Sequence, residues 1–450
     1  MTPVRRRDFL CATGAFSAGA LFPALAAWTP AAHAQAADYR ALVCVFLYGG
    51  NDGNNMVVPY DDYASYAASR GNTSVTLGKS ELVPITPKGL QRYGLHPNLA
   101  SLVPLFDQGK LAVVCNAGTL VAPLTRADYL ADKAHPRNLF SHSDQQLAWQ
   151  GLLPGAPTSS GWGGRSVDVT RAGNATLAIP GMVSLSGDAL FTVGVATLPV
   201  ALARDGSLGL SGSRGSTEGK IRYDALNRIL EADRDHLLIA KASDVMALAI
   251  QSSDALSGAL DAPNAAVDAA FAGTNSGLAD QLYQVAKLIA ARASLGVTRQ
   301  GFFVSMGGYD THNEQRGEQA ARFDELGPAL AAFARAMDAI GAGDYVTAFT
   351  LSDFGRTFRV NANAGTDHAW GSHHFVLGGA VNGGAFYGRF PNLTMNGPDD
   401  AGDDGRWIPT TSIEQYGATL ARWFGVPAAQ MPQVFPNLGA FAVADLGFLK

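Results

Sequence analysis

The chain has 450 residues, long enough for one large domain or for one domain carrying an insertion. Its formal net charge of -5 and its scarcity of clustered basic and aromatic residues exclude nucleic acid as the natural partner. The 51 glycines suit a fold with many tight loops at a sheet edge.

The first residues read as a leader. Arg5-Arg6-Arg7-Asp8-Phe9-Leu10 precedes an apolar run of small residues from Cys11 to Ala27, and Ala32-His33-Ala34 supplies an A-x-A cleavage site. The arginine pair with Phe9-Leu10 in register predicts a twin-arginine signal peptide over residues 1–34, with an ordinary secretory signal or an uncleaved anchor as alternatives. The mature chain, 35–450, is then expected in the periplasm or outside the cell. Its charge would be -7, since three arginines and one aspartate leave with the leader. That route carries proteins already folded, often with a cofactor inserted, which agrees with a metal. No later apolar run is long and uninterrupted enough to span a bilayer.

Ala41–Tyr48 is a continuous apolar run, the pattern of a central parallel strand. It ends in Gly49-Gly50-Asn51-Asp52, where Asp52 is the one charged group and a plain turn with an Asx hydrogen bond is the competing reading. His96-Pro97-Asn98-Leu99 opens a short helix, and residues 109–118 form a second buried strand. Cys44 and Cys115 lie in these strand-like runs. Buried free thiols are expected, with a disulfide open to them if the strands are neighbours. Ser143-x-x-Gln146 fits a capping box and predicts a helix start, a place where an anion or a nucleophile would sit. His96, His135 and His142 read as helix-start or packing residues, His142 adjoining the serines.

From 151 to 275 the pattern loosens. A loop at Gly161–Arg165, strand-like pieces near Met182–Leu185 and Ala189–Val193, and a low-complexity run over 206–219 precede helices at Lys220–Ala240 and Asp244–Ser257. This region is expected to be an insertion or cap over the active edge. Regular structure resumes with a helix over Leu278–Ala293.

The densest information lies between Gly301 and Gly384. The apolar runs Phe302–Met306 and Tyr345–Leu351 each end in an acidic loop, at Asp310 and at Asp353. Between them Phe323, Leu326, Leu330, Phe333, Met337 and Ile340 recur at spacings of three and four, the stripe of a helix lying on a sheet. Strand, helix, strand predicts a right-handed parallel crossover with both acidic loops at the carboxyl edge, where open α/β sheets bind ligands. His312, His368, His373 and His374, four of the nine histidines, neighbour these loops. Carboxylates and imidazoles gathered in this way suit a divalent cation. Further on, Ser412-Ile413-Glu414-Gln415 caps a helix through Trp423.

The ordered set His96-Pro97-Asn98-Leu99, Gly307-Gly308-Tyr309-Asp310-Thr311-His312, Ser352-Asp353-Phe354-Gly355-Arg356-Thr357 and Gly365-Thr366-Asp367-His368 resembles domain of unknown function family 1501. Those exported bacterial proteins are similar to the alkaline phosphatase, sulfatase and phosphopentomutase superfamily. The resemblance covers most of the mature chain outside 151–275. It implies an alkaline phosphatase-like α/β fold, a central mostly parallel sheet between helices, with two metals at its carboxyl edge and a Ser, Thr or modified Cys nucleophile. In that pattern Asp52 and Asp353 share one metal with the nucleophile, and Asp310, His312 and His368 hold the other. The nucleophile candidates are Ser141, Ser143 and Thr125.

Two departures stand out. Phe354 follows Asp353 where the superfamily has a histidine, so the nucleophile-side metal lacks an imidazole unless His373 or His374 replaces it. The Cys/Ser-x-Pro-x-Arg frame of sulfatases is absent. The resemblance thus implies zinc at Asp310, His312 and His368, with a position left for water, and magnesium or calcium at the oxygen-only pair Asp52 and Asp353. Arg137 and Arg356 are the candidate anion clamps. The expected function is an exported metal-dependent hydrolase of a small anionic ester, a phosphate, phosphonate or sulfate. The alternative is a non-catalytic envelope protein whose degenerate site binds an anionic ligand or a partner.

Overall fold

The computed structural model describes residues 39–71, 73–152, 158–170, 179–204 and 216–450. The expected leader over 1–34 lies outside the described residues, as does 206–215 of the low-complexity run.

The first apolar run becomes β1 (Arg40–Leu47), and its side chains alternate between two cores. Ala41, Val43, Val45 and Leu47 pack into one, while Leu42, Cys44 and Phe46 pack into the other. A strand buried on both faces is what a sheet between two helical layers requires. The remaining strands are β2 (Val57–Pro59), β3 (Val83–Ile85), β4 (Tyr93–Leu95), β5 (Leu111–Gly118), β6 (Met182–Ser184), β7 (Val200–Ala201), β8 (Arg299–Met306), β9 (Val346–Ser352), β10 (Ser372–Leu377), β11 (Ala385–Tyr387) and β12 (Thr411–Ser412). β2, β4 and β3 form a small antiparallel sheet of their own. The main sheet runs β11-β5-β10-β9-β1-β8-β6-β7, with β12 also paired to β5. The expected α/β architecture, a mostly parallel sheet between helices, is the one the chain adopts.

Two features of this topology position the site. β1 pairs in parallel with β8 and β9, and Leu47 stands opposite Met306 on one side and Ser352 on the other. The loops carrying Asp52, Asp310 and Asp353 therefore leave one carboxyl edge. β10 runs antiparallel to both β9 and β5. The segment leading into Ser372 thus approaches that same edge, and it carries His368.

Helices cover both faces: α1 (His142–Gly151), α2 (Trp162–Thr170), α3 (Gly277–Ala290), α4 (Gln315–Ala339) and α5 (Ile413–Phe424). α4 buries Phe323, Leu326, Leu330, Phe333 and Met337, the predicted stripe, and Ile340 is its C-cap. α3 and α4 share the first core, whereas α2 and α5 belong to the second. Cys44 and Cys115 are buried and free, on strands separated by β9 and β10.

The 151–275 region does not behave as one insertion. Trp162 of α2 is fully buried in the second core, and β6 and β7 extend the main sheet beyond β8. Two later helices, Thr217–Leu230 and Leu237–Asp261, stand further out, with Ile229, Leu237 and Leu238 between 67% and 74% exposed. Only the end of the second, at Leu256 and Leu260, enters the first core.

Ser412 forms the anticipated capping box with Gln415 at the start of α5. Replacing it by alanine orphans amide groups at a buried helix end. Ser412→Ala should cost about 0.5–2 kcal/mol, read as a lower urea midpoint with an unchanged slope.

Candidate metal centre

Close contact between loops builds the site. Gly49, after β1, has φ +114°, and a Cβ there would run into the backbone of Tyr309 and Asp310. Glycine is needed because the β1 and β8 loops touch at this point. Gly365 plays the same part further on, since a Cβ there would collide with the His312 carbonyl. The segment before β10 therefore lies directly on the Asp310 loop, and Thr366 N donates to the Thr311 carbonyl at 3.0 Å.

Asp310, His312 and His368 meet where these loops cross. The Nε2 atoms of His312 and His368 are 2.9 Å apart, and they lie 3.0 and 3.2 Å from Asp310 Oδ1. His142, the first residue of α1, adds a third ring, with Nε2 3.5 Å from Asp310 Oδ2. Ligand atoms of His142, Asp310 and His368 all lie within 4.8 Å of one another, so this group could hold a metal ion.

Each ring is fixed through its other nitrogen. His142 Nδ1 meets Asp353 Oδ2 at 2.6 Å, His312 Nδ1 meets Asp367 Oδ1 at 3.1 Å, and His368 Nδ1 meets the Phe140 carbonyl at 2.7 Å. A ring that donates its Nδ1 proton presents a lone pair at Nε2 when neutral. Three Nε2 atoms therefore face one carboxylate, and His142 Nε2 is buried with no hydrogen-bond partner. Acceptors this close repel unless a proton or a cation lies between them. The set fits a zinc-like ion, whose bonds to nitrogen and oxygen are about 2.0–2.2 Å, and outer acceptors on ligand histidines are the usual accompaniment.

The neighbouring charges act on these groups in different directions. The hydrogen bond that His142 donates to Asp353 raises its pKa above the usual imidazole value, against the opposing effect of burial. Burial lowers that of His368. For Asp310 burial acts upward, but the hydrogen bond and charge of Arg356 outweigh it and hold the carboxyl below its ordinary value.

The other anticipated residues take different places. Asp353 is fully buried and gives Oδ2 to His142 and to Gln146 Nε2 at 2.9 Å, while its Oδ1 is unpartnered. Asp52 caps the Gly53–Met56 turn through Asn54 N at 2.9 Å, and its Oδ2 takes Gln315 Nε2 at 2.5 Å together with the guanidinium of Arg70. Asp52 and Arg70 are both fully buried, so the charge is neutralised within the protein. The two carboxylates expected to share an ion are thus each engaged by protein groups, with Asp353 Oδ1 left over. Phe354 fills space instead of binding, its ring 4.8 Å from His142 and 4.6 Å from His368.

Arg356 is no open anion clamp. It is fully buried and donates to Asp310 Oδ1 at 2.9 Å, to the Gly49 carbonyl at 3.3 Å and to both oxygens of Thr366. Arg137 is exposed and lines a surface pocket. His373 and His374 are buried in β10, against Phe390 and between Trp149 and Tyr416, and supply no ligand to the cluster. Ser141, not Ser143, is the N-cap of α1, and its hydroxyl donates to Asp144 at 2.6 Å; Ser143 is exposed. Thr125 likewise caps a helix, Arg126–Leu130. The sequence reading missed His142, Asp367 and the Phe140 carbonyl. A Ser-His-Ser at a helix start, downstream of the carboxyl end of β5, was the available signal.

The profile of the family described as "Protein of unknown function (DUF1501)" matches residues 39–401. The chain belongs to this family. No curated protein matches this DUF1501 chain. Among solved structures, Ps i-CgsB in complex with k-i-k-neocarrahexaose is similar at 10% identity over 89% of this chain and 77% of that one, with a TM-score of 0.34. The alkaline phosphatase from the Antarctic bacterium TAB5 is similar at 10% identity over 88% of this chain and 97% of that one, with a TM-score of 0.28. A mutant of the TAB5 enzyme with Mg bound in its M3 site gives 11% identity over the same shares and a TM-score of 0.29. Likenesses of this size carry no weight for the chemistry of the DUF1501 chain.

The buried histidines of β10 predict a fold that loses stability in acid. Burial pushes His373 and His374 down to about 3, so both remain neutral in the fold. A depressed base stabilises fully above its unfolded pKa, about 6.5, and that contribution is lost as pH falls through the folded value. Urea midpoints should therefore drop between pH 7 and pH 4. His374→Gln should flatten the dependence, and an unchanged slope with pH would place the acid sensitivity elsewhere.

Proposed function

We propose that this chain is an exported metal-dependent hydrolase of a small anionic ester, a phosphate, phosphonate or sulfate, working with one metal centre rather than two. The observation that carries the reading is the convergence of three imidazoles on Asp310, each held at Nδ1 by an acceptor. Asp310, His312 and His368 would hold the ion, and their nitrogen-rich set favours zinc over magnesium or calcium. A divalent ion there supplies Lewis-acid catalysis and lowers the pKa of water. Arg356 keeps Asp310 ionised and oriented. Asp353 holds a proton on His142 Nδ1 and favours the charged ring, so His142 Nε2 is suited to protonate the departing oxygen. The solvent-exposed sides of Asp310 and His312 leave an approach for the ester.

A second reading has its own support. Asp52 is closed by the Arg70 guanidinium and Phe354 supplies a ring but no ligand, which suits a non-catalytic envelope protein that keeps one metal to bind an anionic ligand or a partner.

Metal analysis and turnover separate the roles. Asp310→Asn and His368→Ala should strip the tightly bound ion. His142→Ala should retain it while turnover of 4-nitrophenyl phosphate, sulfate or a phosphonate ester falls by about 10²–10⁴. Loss of metal in His142→Ala would make that ring a ligand, and full metal with no turnover of any ester in the wild type would favour the binding protein.

Export by the twin-arginine route is part of the same reading, resting on Arg6-Arg7 with Phe9-Leu10. Replacing both arginines by lysine should leave full-length precursor in the cytoplasm. Normal export of that variant would point to the general secretory route.

A further inference from the structure

The segment between β5 and α1 forms an open pocket of about 380 Å³, lined by Tyr129, His135, Arg137, Asn138, Phe140 and Ser141. Its place follows from the metal centre. The Phe140 carbonyl holds His368, and Ser141 caps the helix that begins at His142. Asp310, His312, His368 and His142 do not line the pocket, but two residues that do reach them: Ser141 precedes His142, and the Phe140 carbonyl lies 2.7 Å from His368 Nδ1.

The lining defines the chemistry of that group. Tyr129 and Phe140 are half-buried aromatic residues, and Tyr129 is held by Trp370 at 5.7 Å and His135 at 5.2 Å between ring centroids. A cavity of this size accepts one ring with its substituents. Arg137 carries the cation. Among the described residues its guanidinium makes no ion pair or hydrogen bond, in contrast to Arg356, Arg70 and Arg406, which are all engaged. An unpaired guanidinium in a pocket that is also lined by aromatic side chains matches a planar group bearing a carboxylate.

We propose that this pocket is the leaving-group subsite, and that it selects esters of an aromatic alcohol carrying a second negative charge, which Arg137 pairs. This rests on the hydrolase reading of the adjoining centre. The ester's own anionic group would go to Asp310, His312 and His368 and their ion, leaving Arg137 for the other end of the substrate.

The test is calorimetric binding of two non-hydrolysable probes, phenylphosphonate and 4-carboxyphenylphosphonate, to the metal-loaded protein. The carboxylated probe should bind about tenfold tighter or more, the scale of one charge-assisted pair. Arg137→Ala should bring the ratio of affinities close to one with metal content retained, and Arg137→Lys should keep part of it. Equal affinity for the two probes in the wild type, or a preference that survives Arg137→Ala, overturns the subsite and leaves the hydrolase reading standing. Failure of both probes to bind a fully metal-loaded protein overturns the two together.

Discussion

A histidine ring has two nitrogens and, when neutral, one proton, so fixing the proton on one decides what the other can do. In this protein that decision is made outside the cluster. Asp353, Asp367 and a backbone carbonyl at Phe140 each occupy an Nδ1, two of them from the connection between β9 and β10 and one from the segment before α1. The Nε2 atoms are left to face Asp310. Every other feature of the edge serves this arrangement. Gly49 and Gly365 let the loops close on one another, and Arg356 fixes the carboxylate on which the rings converge. Removing any one acceptor frees the tautomer and orientation of its ring, which is why such outer partners matter nearly as much as ligands.

The handling of charge is the other organising theme. The superfamily pattern would place Asp52 and Asp353 around a second ion, but each acts here through protein partners. Asp52 is closed by a buried guanidinium and two amide groups, and Asp353 is spent on His142 and Gln146. A buried ion pair is tolerated when its geometry satisfies both partners, and breaking it leaves an uncompensated charge. Arg70 is only partly satisfied, with Nε and Nη1 lacking partners. Asp52 thus has its charge balanced by a side chain, and the Phe354 ring packs against His142 and His368.

How far the sequence discloses this depends on distance along the chain. The parallel sheet, the stripe of α4 and the carboxyl-edge loops follow from local apolar periodicity, and they stand where the pattern puts them. Asp310, His312 and His368 are legible for the same reason, since each sits within a few residues of a strand end. His142 is not, because it arrives from the loop after β5, and β5 lies two strands from β9 in the sheet. Nothing in a Ser-His-Ser triplet records that Asp353 will meet it. The partner of Asp52 was equally hidden: Arg70 ends an ordinary short helix, and only the tertiary fold turns it inward. The 151–275 region misleads for a different reason. β6 is legible as a strand-like piece near Met182–Leu185, but β7 has only two residues, and nothing local records that the two add to the main sheet.

The reversed direction of β10 has a consequence for how the protein comes together. β10 pairs with β5, more than 250 residues earlier, and with β9 beside it. The segment that carries His368 is therefore fixed only when that long-range pairing closes, a step that pays its loop entropy before any contact rewards it. The ring at 142 and the ring at 368 come from opposite ends of this closure. An unfolded or half-folded chain has no such cluster to offer, so an ion would bind the finished sheet and hardly anything else. Its binding energy would then count wholly as native-state stability, by mass action at the prevailing metal concentration.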